Sequence, residues 1–132
     1  MYRRCVINAQ FETFALSSLS SGVHCLQNDD GWKTKYASQV ALSVFGMNNT
    51  QLASDPALWV DRIHPSDVDA VQAALDTINE EERSITYRFR DSNELYRWML
   101  FRCKKMEDGI IVGLLSDATK MRTKEYADRI HL

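Results

Sequence analysis

A chain of 132 residues with 45% hydrophobic and 26% charged residues has the size and balance of one compact domain. A net charge of -2 excludes broad electrostatic attraction to nucleic acid or anionic membranes, and basic pairs such as Arg3-Arg4 and Lys104-Lys105 read as solvated surface. The longest apolar run, Ile110 to Leu115, is too short to span a bilayer, and no secretory leader opens the chain, so a cytoplasmic location is the expectation.

Residues 1–20 carry Val6, Ala9, Phe11, Phe14, Leu16 and Leu19 at roughly helical spacing, which predicts a flanking helix ahead of a domain that begins near residue 21. Gly22 to Asn28 reads as a strand, Asn28-Asp-Asp-Gly31 as a turn, and Trp32 to Ala37 as a second strand. In that second strand Trp32, Thr34 and Tyr36 alternate with Lys33 and Lys35. Ser38 can cap a helix carrying Val40, Ala41, Val44 and Phe45, which Gly46 ends. Short helical turns follow over residues 48–58, then Trp59 to Pro65.

Ser66 to Asp69 has the layout of a capping box, and Val68, Val71, Ala74, Leu75 and Ile78 form one apolar stripe, predicting a helix over residues 66–82. Three strands come next. The first places Ile85, Tyr87 and Phe89 on one face. The second sets Met99, Phe101 and Cys103 against Tyr96, Trp98 and Leu100, and the third is the apolar run at residues 110–116. Residues 118–132 are charged and helix-prone, with Thr119, Thr123, Tyr126 and Ile130 stepping as a heptad-like seam.

Two strands, several short helices, one longer helix and three strands predict an α+β fold with a five-stranded antiparallel sheet. The sequence resembles the PAS family, in the branch with a Trp-containing second-last strand. The resemblance rests on Asn28-Asp-Asp-Gly31, Phe45-Gly46, Trp59 with Ile63-His64-Pro65-Ser66-Asp67, Tyr87 to Arg90, Tyr96-Arg97-Trp98, and Gly113 to Thr119, and it covers about residues 12–125. It implies a PAS domain over residues 21–117, with short helices on one face of the sheet. The tail looks like the linker helix that leads into diguanylate cyclase (GGDEF) domains, and histidine kinase linkers are similar.

The resemblance also implies a cavity between sheet and helices. Its candidate lining is Cys25, Gln27, Tyr36, Phe45, Trp59, Tyr87, Phe89, Met99, Phe101 and Cys103; the alternative is that these side chains simply fill a core. In the family, the acidic residue at the end of the last strand couples the sheet to the linker helix. That points here to Asp117, Thr119 and a charge pair with Arg97, against plain helix capping by Asp117 or Thr119. A homodimer built on the terminal helix is the expected assembly, with an output domain beyond it.

Haem needs an axial His, Cys or Met, and haem-binding relatives carry a His on or near the long helix. Residues 66–82 contain none; His64 reads as part of the helix start and His24 as a surface or core residue of a strand. A covalent flavin photocycle needs a cysteine on a short helix, and residues 46–60 lack one; non-covalent FAD stays open. Three widely spaced cysteines, Cys5, Cys25 and Cys103, suit free thiols better than disulfides or zinc. A metal site at His24, Cys25, Asp29 and Asp30 is disfavoured, because alternation sends His24 and Cys25 to opposite faces. No catalytic motif is visible, so a non-enzymatic signal sensor is the expectation. The rivals are a ligand-free dimerisation module and a small isomerase-like enzyme using Asp55 or Asp61.

Overall fold

The computed structural model describes residues 21–47, 54–55 and 57–119. The flanking helices expected over residues 1–20 and 118–132 lie outside them, apart from Ala118 and Thr119. The elements are β1 (Gly22–Asn28), β2 (Trp32–Ala37), α1 (Gln39–Phe45), α2 (Leu58–Asp61), α3 (Pro65–Thr77), β3 (Arg83–Arg90), β4 (Tyr96–Lys105) and β5 (Ile111–Asp117). They form one antiparallel five-stranded sheet in the order β2-β1-β5-β4-β3. The two sequence-terminal blocks thus meet at β1 and β5, in the middle of the sheet, and the helices between them cover one face.

Ser38 turns the chain from β2 into α1. Its hydroxyl accepts from the Ala41 N–H at 3.2 Å and from the Val23 N–H at 2.9 Å, so one side chain caps the helix and ties it to β1. At the other end Gly46, at φ 72°, closes α1 with its N–H on the Ser43 carbonyl.

The longer helix differs from expectation at both ends. His64, not Ser66, is the N-cap: its Nδ1 accepts from the Ser66 N–H at 3.0 Å, and Pro65 takes the first helical position, where no donor is lost. The helix stops at Thr77 rather than 82, because Ile78 takes extended backbone and turns into the core. The expected stripe holds, with Val71, Leu75 and Ile78 buried and Val68 and Ala74 half-buried.

Two polar ties hold α3 to the sheet. Trp32 Nε1 donates to Asp76 Oδ1 at 2.8 Å. Asp67 takes a bidentate pair from Arg88, Nε to Oδ2 at 2.9 Å and Nη2 to Oδ1 at 2.8 Å, and also accepts the Arg88 backbone N–H at 2.9 Å. The hydrogen bonds from Arg88 hold the Asp67 carboxyl below the usual carboxylate range, against the opposing effect of burial. The Arg88 guanidinium in turn lies 5.1 Å over the Trp98 ring. Since both partners keep some solvent exposure, Asp67→Ala is expected to cost about 1–2 kcal/mol, read as a lower urea midpoint at unchanged slope.

The free edge of β3 is covered by the chain running into α3. His64 N–H donates to the Arg88 carbonyl at 2.9 Å, Arg90 N–H to the Arg62 carbonyl at 2.8 Å, and Ile63 bridges to Phe89.

Candidate functional site: an aromatic core and the exit of the last strand

The inner face of the sheet and the short helices enclose a core rich in rings. Phe45 ends α1, Trp59 stands on α2, Tyr87 and Phe89 project from β3, and Met99, Phe101 and Cys103 from β4; all are buried. Phe45 and Phe89 pack with centroids 4.4 Å apart, and Trp59 meets Tyr87 edge-on at 6.0 Å while its Nε1 donates to the Tyr87 hydroxyl at 3.2 Å. Gly113 on β5 makes this possible. A Cβ there would fall 2.6 Å from the Phe101 ring and from Cys103 Cβ, so only glycine lets those side chains lie across the strand.

Three of the expected lining residues do not face this aromatic core. Cys25 points to the opposite face of the sheet, in register with Val112 and Tyr36; it is buried there and lies outside the main core cluster. Gln27, two residues on, is exposed at the strand end. Tyr36 is 55% exposed. The cause in β2 is a bulge: Leu26 pairs with Thr34 and Cys25 with Tyr36, which leaves Lys35 as the extra residue. One inserted residue reverses the alternation, so Trp32 and Thr34 point inward while Tyr36 points out. In β1 the inward set is His24 and Leu26 rather than Cys25 and Gln27.

The residue that sequence reasoning passed over is therefore His24. It is fully buried, with its ring 5.2 Å from Phe45, 5.5 Å from Trp59 and 5.7 Å from Phe101. Nε2 lies 3.0 Å from the Thr34 hydroxyl; Nδ1 has no hydrogen-bond partner among the described residues. Burial lowers its pKa to about 3, so the ring is neutral at physiological pH. Burial likewise pushes the Cys25 thiol up to about 11 and that of Cys103 to about 12, which makes both poor nucleophiles. A usable signal was present: Leu26 against Gln27 decides which parity of β1 is apolar, and Leu26 brings His24 with it.

At the rim, Arg97 gathers three parts of the fold. Its Nε donates to Asp91 Oδ2 at 3.0 Å, its Nη1 donates to the Val44 carbonyl at 3.3 Å in the last turn of α1, and the same Nη1 lies 3.8 Å from Asp117 Oδ2 at the end of β5. Asp91 is almost fully buried and also accepts the N–H groups of Asn93 and Leu95 through Oδ1. Burial alone would raise its pKa, but those amides and Arg97 together hold it below the ordinary carboxylate value.

The exit of β5 is latched to β4. Ala118 N–H donates to the Trp98 carbonyl at 2.8 Å, and the Trp98 N–H donates to the Thr119 hydroxyl at 3.0 Å. Asp117 Oδ1 accepts the Thr119 N–H at 2.8 Å, so Asp117 combines the helix-capping geometry with a longer contact to Arg97. Asp55 and Asp61, the acids of the enzyme reading, are both exposed. Among the described residues no helix is long and apolar enough to cross a membrane.

Several solved structures share this arrangement. A sensory box histidine kinase/response regulator from Burkholderia thailandensis E264 superimposes with a TM-score of 0.66 at 23% identity, over 93% of this chain and 95% of that one. The N-terminal domain of a diguanylate cyclase with PAS/PAC sensor from Marinobacter aquaeolei gives 0.57 at 15%, over 76% and 98%. The PAS domain of an HTR-like protein from Haloarcula marismortui gives 0.58 at 12%, over 83% and 99%. At these identities the likeness shows the fold. No curated protein matches the chain in sequence. The sequence model of the family described as PAS fold matches residues 34–116, more than half of the chain, and with the sheet order and helical cover described above, the chain belongs to the PAS family of sensory domains.

Proposed function

We propose that this domain senses a small molecule in the aromatic core and relays its presence to an output domain through the helix that leaves β5. The observation that carries this reading is the position of Arg97. Its guanidinium joins the carbonyl of Val44, one residue before the core ring of Phe45, to Asp91 and to Asp117 at the point where the chain leaves the sheet. A movement of α1 that accommodates a ligand at Phe45 changes where Arg97 can sit, and with it the contact to Asp117. A ligand that prefers one of these two arrangements shifts their populations. Sensing rather than catalysis suits the polar groups here: Asp67 and Asp91 are engaged by Arg88 and Arg97, and His24 is held neutral.

The similar structures from a histidine kinase and a diguanylate cyclase support an output domain of that kind; a diguanylate cyclase joined through the terminal helix in a cytoplasmic homodimer is the favoured form. In the full-length protein, Asp117→Ala is expected to abolish the difference in output between ligand-bound and ligand-free states while leaving ligand binding intact. An unchanged response sinks the relay. Native mass spectrometry of protein isolated from its own host reports whether a ligand is bound, and the oligomeric state with it.

A second reading, a dimerisation module without ligand, is favoured by the direct contacts among His24, Phe45, Trp59 and Phe101. It expects that same spectrum to show bare protein.

A further inference from the structure

We propose that residues 5–20 of this chain lie across the outer face of the sheet and cover its apolar centre on β1 and β5. This goes beyond the sensory reading and does not depend on it.

The outer face has a buried middle. Strand alternation, with Val23 opposite Leu114 and Cys25 opposite Val112, puts these four side chains on the side away from α1, α2 and α3. Cys25, Val112 and Leu114 are only 8%, 2% and 3% exposed, yet none of them belongs to the main core cluster. Neighbouring strands do not bury a side chain so completely. Their side chains stand beside one another, roughly perpendicular to the sheet, and leave the top of the face open. Tyr36, opposite Cys25, is itself 55% exposed and so is not folded over it. Exposure is this low in a single chain, so the roof comes from that chain.

The stretches of more than one residue outside the described set are 1–20, 48–53 and 120–132. Residues 48–53 run from α1 toward α2, and both helices pack on the inner face through Phe45 and Trp59. That leaves the two ends of the chain.

Charge chooses between them. Residues 120–132 carry Lys120, Arg122, Lys124 and Arg129 against Glu125 and Asp128. On the outer face, Arg102 stands opposite Leu114 and Lys104 opposite Val112, so the margin of the apolar centre is cationic and repels such a tail. Residues 5–20 have one charged side chain, Glu12, and offer Val6, Ala9, Phe11, Phe14, Leu16 and Leu19. The join and the length fit as well. Ser21 leads directly into β1, the strand that carries Val23 and Cys25. As a helix, residues 5–20 would reach about 24 Å, and five strands span about 19 Å.

The test is alkylation of the intact chain with N-ethylmaleimide at pH 8, read cysteine by cysteine by mass spectrometry. Cys103 lies in the inner core and reports opening of the whole domain. In the wild type Cys25 and Cys103 should both react slowly. In Phe11→Glu/Phe14→Glu, Cys25 alone should react at least about tenfold faster, because water reaching the thiol brings its pKa down from about 11. Tyr126→Glu/Ile130→Glu in the tail should leave Cys25 protected. Exposure of Cys25 by the tail variant overturns the proposal, as does protection in both variants. Loss of wild-type protection on dilution also overturns it, since the cover would then be a second copy. If the Phe11→Glu/Phe14→Glu change speeds Cys25 and Cys103 alike, NMR of the wild-type chain decides. Nuclear Overhauser contacts from the Phe11 or Phe14 ring to the methyl groups of Val112 and Leu114 are expected, and their absence overturns the proposal.

Discussion

The unfolding free energy should fall by about 1.4 kcal/mol for each pH unit below about 6.5, roughly 2.7 kcal/mol by pH 4.5, through the single side chain of His24. The imidazole is buried among Thr34, Phe45, Trp59 and Phe101, where its cation cannot be solvated, and its pKa drops to about 3. In the unfolded chain the same ring takes up a proton near pH 6.5, so the unfolded state binds more protons over the whole interval between those values. The stabilisation is complete above the unfolded value and is lost as pH falls toward the folded one. The depressed carboxylates Asp67 and Asp91 contribute in the same direction, but only below their unfolded value near 4.

Urea titrations at pH 7, 6, 5 and 4.5 measure the slope. The double variant His24→Leu/Thr34→Val, which leaves neither hydroxyl nor imidazole unpaired, should be nearly flat over that range. A wild-type curve equally flat between pH 6 and 4.5 would mean that the ring reaches water before the domain unfolds.

Gly46→Ala is expected to lower the melting temperature by about 10 °C, a loss of roughly 3 kcal/mol. Two effects add. Gly46 has φ 72°, a conformation that costs a residue with a Cβ about 1–2 kcal/mol. The new methyl would also fall 2.6 Å from Arg97 Cζ, 2.7 Å from Arg97 Nη2 and 2.7 Å from Asp91 Cβ. It therefore pushes the guanidinium off the carboxylate that it neutralises, and Asp91 is buried too deeply for water to replace it.

The two contributions separate in a double-mutant cycle. Placing Arg97→Ala beside Gly46→Ala removes the clash with the guanidinium but keeps the backbone strain and the contact with Asp91 Cβ, so the pair should be less destabilising than the sum of the single changes. Strict additivity would show that Arg97 swings clear at little cost, and a Gly46→Ala protein melting within about 2 °C of the wild type would show that neither the clash nor the left-handed backbone carries the expected cost.

The Gly46 contact also bears on signalling. The residue that closes α1 touches the residue that reaches Asp117, so a methyl group at position 46 should disturb output as well as stability. The same melts, run beside an output assay in the full-length protein, tie the two together.

Much of this domain was legible in its residues taken locally. The alternation of Ile85, Tyr87 and Phe89 and of Met99, Phe101 and Cys103 identified the inward faces of β3 and β4, because period two is a property of the strand itself. Ser38, Gly46 and the stripe through Val71 and Leu75 marked helices by capping and periodicity, which neighbours three or four residues away decide. The charge pair between Arg97 and Asp117 was suggested by family resemblance and is present at 3.8 Å.

What failed locally was whatever depended on strand pairing. The bulge at Lys35 exists only because β2 must register against β1, and it turned Tyr36 outward. The phase of β1, which buries His24 and sends Cys25 to the other face, was settled by the pairing of His24 with Gly113, a glycine that leaves room for the rings. Sequence alone determined the elements, their order and most of the aromatic wall, since these follow from spacing along one chain. Tertiary structure alone decided which polar groups lie among the rings and which are left unpaired, because that depends on partners brought together from distant parts of the chain.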